Sequence, residues 1–152
     1  FELRALLDEF AGRKAARRAT AEDVRTLTAM VERMDEATRQ GDADGYFELN
    51  LAFHDRIVGL AGNAKLRELY RRLVNELALF RRASFDHAAN LPRSAAEHRA
   101  IVERIAARES EAAARLLREH AMASRERARL AREPGAADTP PRRPHRSPGR
   151  RR

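Results

Sequence analysis

Three histidines, His54, His98 and His120, each fall on the apolar stripe of a helical segment, and imidazole is the side chain most often used to hold a transition metal. His98 is followed by Ile101, Val102 and Ile105 at the third, fourth and seventh positions, which lie on one helix face. Ala113, Leu116 and Leu117 lead to His120 with the same spacing, and Asn50 precedes His54 by one turn among Phe47, Ile57 and Val58. A buried polar ring must find hydrogen-bond partners, so any one of these histidines alone reads as a satisfied core residue. Three would each need separate partners, whereas one divalent ion in the centre of a bundle satisfies them together. His87 falls in a connection and His145 near the C-terminus, and both are expected at the surface. There is no HExxH, no Glu-x-x-His pair and no cysteine, which leaves neither thiolate ligands nor disulfides.

Six helical segments can place these residues. The first runs from Phe1 to about Arg18 with Leu3, Leu7 and Phe10 on one stripe. Thr20 caps the second, which carries Val24, Leu27, Val31 and Met34 and ends near Gly41, with Glu22 and Asp23 in the first turn where the helix dipole favours them. Asp42 can cap the third, which stops near Gly62, and Asn63 the fourth, with Leu66, Leu69, Tyr70, Leu73, Leu77 and Phe80 as its buried stripe. A connection through His87, Asn90 and Pro92 follows. Ser94 with Glu97 has capping-box spacing and is expected to open the fifth helix, and the sixth runs from about Ser110 to Arg132. Short connections favour antiparallel neighbours, so the expected fold is an all-α antiparallel bundle of about six helices.

The 152 residues, 43% of them apolar, suit one domain, here residues 1–133. From Pro134 onward the chain carries six arginines against one aspartate together with Pro140-Pro141, and residues 134–152 are expected to form a disordered basic tail. Most of the net charge of +8 belongs to that tail, so a basic nucleic-acid-binding face on the folded part is not indicated. No apolar run spans a membrane, the first residues do not read as a signal peptide, and a cytoplasmic location is the expectation. The chain opens directly in a helical pattern without Met, which suggests that it begins partway through a longer polypeptide.

Across the first 130 or so residues the sequence resembles the FCD domain, the ligand-binding half of FadR-type regulators in the GntR family. Phe1-Glu2-Leu3-Arg4 with Leu7 is similar to that family's opening helix, Asn50-Leu51-Ala52-Phe53-His54 to its D-x-x-F-H motif, and Ala61-Gly62-Asn63 and Glu97-His98 with Ile101 follow in order. An alanine-rich approach to His120, placed 22 residues after His98, completes the match, and six helices suit the smaller, VanR-like branch. The resemblance implies a metal held by an aspartate and three histidines, with a small organic acid beside it. His54, His98 and His120 fit that set, while Asn50 stands where the family has the aspartate. An amide ligates only through a neutral carbonyl oxygen, which leaves an imidazole-dominated site suited to Zn²⁺ or Ni²⁺. Arg4 and Arg81, the arginines nearest apolar stripes, are the candidates for holding an effector carboxylate.

The function implied is not enzymatic. A carboxylate metabolite bound beside the metal would change how a homodimer presents N-terminal winged helix-turn-helix units, absent from this chain, to a two-fold operator. Two other readings compete. Three histidines with an open position could make a zinc hydrolase, although Glu97 points about 100° away from His98 around the helix and no other general base is evident. A structural helical adaptor with a nucleic-acid-binding tail is the third.

Overall fold

The structure is a computed structural model and describes residues 1–78 and 90–131. Arg81, His87 and the segment from Pro134 onward lie outside the described residues. Among the described residues there are six helices and no strand: α1 Glu2–Arg18, α2 Ala21–Gln40, α3 Ala43–Leu60, α4 Ala64–Glu76, α5 Asn90–Ala106 and α6 Ser110–Leu130. No helix among them is long and apolar enough to cross a membrane.

The caps read at Thr20, Asp42 and Asn63 form. Thr20 Oγ1 accepts from Asp23 N at 3.1 Å while Thr20 N donates to Asp23 Oδ2 at 2.9 Å, a reciprocal pair that satisfies two orphan donors of α2. Asp42 Oδ1 accepts from Gly45 N at 2.9 Å to start α3, and Asn63 Oδ1 accepts from Leu66 N at 3.0 Å to start α4. Gly41 ends α2 at φ 69°, the left-handed conformation that glycine adopts without steric cost.

Three local expectations are corrected. The fifth helix begins at Asn90, not at Ser94. Pro92 sits in its first turn, where a missing N–H costs nothing, and Ser94 is a fully buried interior residue. On α4 the buried stripe is Leu66, Tyr70 and Val74, while Leu69 is 54% exposed. The third correction concerns α1. Leu3 and Phe10 are exposed, and the buried face is Arg4, Ala5, Asp8, Ala11, Gly12, Ala15 and Ala16.

That face is inside because it is small. It lies against Ala113, Ala114, Leu117 and Ala121 of α6, and the two helices run antiparallel, as a ladder of ion pairs shows. Glu2 meets Arg125 at 3.1 Å, Glu9 meets Arg118 at 3.2 Å, and Arg13 meets Glu111 at 2.8 Å. Such exposed pairs contribute little stability, and their value here is to mark the register. The close approach is set at Gly12, where an added Cβ would lie 2.5 Å from Leu117 Cδ1 and 3.0 Å from the Ala113 carbonyl oxygen. Gly12→Val is therefore expected to cost about 3 kcal/mol by overpacking, or roughly 10 °C in melting temperature. Gly12→Ala should cost less, because alanine recovers about 1 kcal/mol of helix propensity. An unchanged melting curve for Gly12→Val would show that α1 and α6 separate freely.

Candidate metal centre

His54, His98 and His120 are all buried, and α3, α5 and α6 bring them to one point. Nε2 of His54 lies 3.2 Å from Nε2 of His120 and 3.3 Å from Nε2 of His98. One ligand atom from each ring falls within 4.8 Å of the others, so a single ion could be shared by all three. Phe53 forms an apolar wall, with its ring centroid 4.8 Å from that of His98 and an edge-on contact to His54.

The opposite edge of each ring faces a polar group from a different helix. His120 Nδ1 is 2.8 Å from Glu97 Oε2, His98 Nδ1 is 3.3 Å from the Tyr46 hydroxyl, and His54 Nδ1 is 3.9 Å from Asp8 Oδ1. The last distance is too long for a hydrogen bond but short enough for charge to matter. Outer partners on the second nitrogen are how proteins fix the tautomer and orientation of metal-ligating histidines.

Electrostatics decide which nitrogen of His120 carries the proton. Burial would push the Glu97 carboxyl up, but hydrogen bonds from His120 and Arg127 prevail and hold it at about 2. Arg127 is the standing charge in that arrangement, donating from Nη1 to Oε1 at 2.9 Å and from Nη2 to Oε2 at 3.1 Å. An ionised carboxylate only accepts, so His120 Nδ1 must donate and Nε2 presents a lone pair to the other two rings. Neutral imidazole nitrogens converging in this way are complementary to a cation. The three histidines thus form a buried group that could hold a metal ion.

Burial holds His120 itself well below the ordinary imidazole value, at about 4; the Glu97 hydrogen bond opposes the shift, and the charge of Arg4 adds to it. The sign of the consequence is fixed. An unfolded imidazole takes up its proton near 6.5 and the folded one only near 4, so between these values the unfolded chain binds more protons. Stability from this group is complete above pH 6.5 and is lost as pH falls through that window. The melting temperature of the metal-free protein should drop between pH 6.5 and 4.5, and a flat profile there would contradict a buried neutral His120.

Asn50 sits one turn before His54 on the buried face of α3, is 1% exposed, and neither Oδ1 nor Nδ2 has a hydrogen-bond partner among the described residues. Arg4 is fully buried on α1, with Nε 3.1 Å from Asp8 Oδ2. Burial opposes its charge, and Asp8 and Tyr70, by charge and hydrogen bonding, prevail and favour the guanidinium. Arg81, the other expected effector contact, is not among the described residues.

Sequence reasoning missed Asp8 and the role of Glu97. Asp8 lies one turn after Arg4, and two opposite charges at that spacing on a helix otherwise lined with alanine were the available signal. Glu97 does point away from His98, as the helical geometry requires, but that direction leads to His120 and Arg127 on α6.

Residues 1–123 match the FCD domain family. The galactonate operon transcriptional repressor of Escherichia coli (strain K12) is 26% identical over 113 residues, which are 74% of this chain and 48% of that protein. The chain thus spans about half the length of that curated relative. Among solved structures, E. coli McbR/YncC has the same fold with a TM-score of 0.78 at 18% identity, over 84% of this chain and 61% of that one.

Proposed function

The chain belongs to the FCD domain family of GntR-type transcription regulators, and we propose that it is an effector-sensing domain that binds one divalent metal and a small carboxylate metabolite. The observation that carries this reading is the convergence of three buried imidazole Nε2 atoms, with Glu97, Tyr46 and Asp8 behind them. His54, His98 and His120 hold the metal and Asn50 Oδ1 is the candidate fourth donor. The bound metal would supply a Lewis-acidic position for one carboxylate oxygen. Arg4, fully buried and close enough for its charge to bear on His120, would supply the cationic partner for the carboxylate. Arg81 remains a second candidate for that role.

Binding is favoured over hydrolysis by the state of Glu97. Its carboxyl is held at about 2, both oxygens are engaged, and it lies behind His120 rather than on the Nε2 side where substrate water would sit. Such a group is a poor general base at neutral pH. The relative named as an operon repressor supports the regulator reading. In that reading a homodimer carries this domain beside an operator-binding winged helix-turn-helix, and metabolite binding biases how those units meet DNA.

Metal analysis of gently purified protein tests the core of the proposal. About one equivalent of Zn²⁺ or Ni²⁺ per chain is expected. Protein that is metal-free as isolated and also ignores added Zn²⁺ and Ni²⁺ in titration calorimetry would sink it.

A further inference from the structure

We infer that Asn50 makes cation retention at this centre conditional on an anion, so that metal and a small carboxylate are taken up together. The inference rests on the metal-and-effector reading above and adds how the two ligands depend on each other.

The argument is a charge count around the three imidazoles. Every candidate ligand is neutral: the three histidine nitrogens and the Asn50 carbonyl oxygen. Two acids stand directly behind the rings, Asp8 and Glu97, and each is already matched by an arginine. Asp8 is 3.1 Å from Arg4, and Glu97 is gripped by two nitrogens of Arg127 at 2.9 and 3.1 Å. Asp35, whose charge bears on Tyr46, is held by Arg99 at 2.5 Å. Asp8, Arg4, Glu97 and Arg127 thus carry no net charge among them, and a dication would add its full charge to a buried site without a counter-ion. Burying an uncompensated charge is costly.

A carboxylate entering beside the ion removes that cost, and donors for it are present. Asn50 Nδ2 is a buried donor without a hydrogen-bond partner among the described residues, and the guanidinium of Arg4, fully buried beside Asp8 and Tyr70, acts electrostatically on His120 at the centre. Each ligand therefore improves the site for the other, and linkage makes the factor the same in both directions. An aspartate at position 50 would place a permanent negative charge one turn from His54. Asn50→Asp should let the cation bind alone and should remove the benefit of the added anion.

The test uses metal-stripped protein, Zn²⁺ and a chromophoric chelator as competitor at pH 7 and constant ionic strength, with acetate or its neutral analogue acetamide. In the wild type, acetate should raise the Zn²⁺ affinity about tenfold over acetamide. In Asn50→Asp, the affinity in acetamide should rise by about tenfold, and the acetate effect should shrink to roughly twofold or less. Equal Zn²⁺ affinity of the wild type in acetate and acetamide overturns the inference while leaving the metal reading standing. So does an acetate effect that survives undiminished in Asn50→Asp. A wild type that binds no Zn²⁺ in either medium overturns the metal reading, and this inference with it. If Asn50→Asp does not fold, the wild-type comparison alone still decides.

Discussion

His98→Ala is expected to abolish tight Zn²⁺ binding, with affinity falling by about a hundredfold or more. His98 supplies one of three converging Nε2 atoms, and its ring is fully buried between Phe53 and the Tyr46 hydroxyl. Structural zinc sites with four ligands bind with roughly 10–16 kcal/mol, so one ligand is worth about 3 kcal/mol. The substitution also removes a buried side chain, and the apo protein should lose about 2–4 kcal/mol from the resulting cavity. The two losses separate experimentally. Zn²⁺ at about a thousand times its Kd should stabilise the wild type by roughly 4 kcal/mol, whereas the variant, bound a hundredfold or more weakly, should gain about 1.4 kcal/mol or less at the same concentration. A variant that melts lower but keeps the full zinc-induced rise would show that His98 is a packing residue only.

Glu97→Gln should weaken metal binding by about 10- to 100-fold, and should also lower the melting temperature, because the buried Arg127 loses its counter-ion. The amide keeps the shape of the side chain but gives up the charge that fixes His120 Nδ1 as a donor and that pairs with Arg127. The expectation discriminates between two roles. If Glu97 served only as the reciprocal partner of a helix cap, as its spacing from Ser94 suggests, its loss would lower the melting temperature and leave metal affinity alone. Ser94 is inside α5 rather than at its start, so no such cap exists for Glu97 to complete. Equal Zn²⁺ affinity of Glu97→Gln and wild type would remove Glu97 from the centre. Restored affinity in Glu97→Asp would argue that charge near His120 is what matters.

The helices and the inward-facing histidines were legible because both depend on local pattern. Thr20, Asp42 and Asn63 cap the helices that follow them, since a side-chain oxygen next to orphan N–H groups is a matter of a few residues. His98 with Ile101, Val102 and Ile105, and His120 with Ala113 and Leu117, share their faces by helical geometry alone. The fold class followed from the same periodicity, and the family from motifs in order along the chain.

What tertiary structure decided is which of two competing faces goes inside and which groups meet across helices. On α1 the leucine stripe of Leu3, Leu7 and Phe10 is the more apolar, yet the alanine and glycine face is buried, because only small residues let α1 approach α6 as closely as Gly12 and Ala113 do. That choice carries Arg4 and Asp8 into the interior and sets Asp8 against His54. The pairing of Glu97 with His120 and Arg127 joins α5 to α6 and has no local spacing to announce it. Sequence could therefore say that three imidazoles point inward. Only packing could say that their Nε2 atoms meet and that their Nδ1 atoms face outward to Tyr46, Asp8 and Glu97, because a ring's orientation is set by partners from other helices and not by its own.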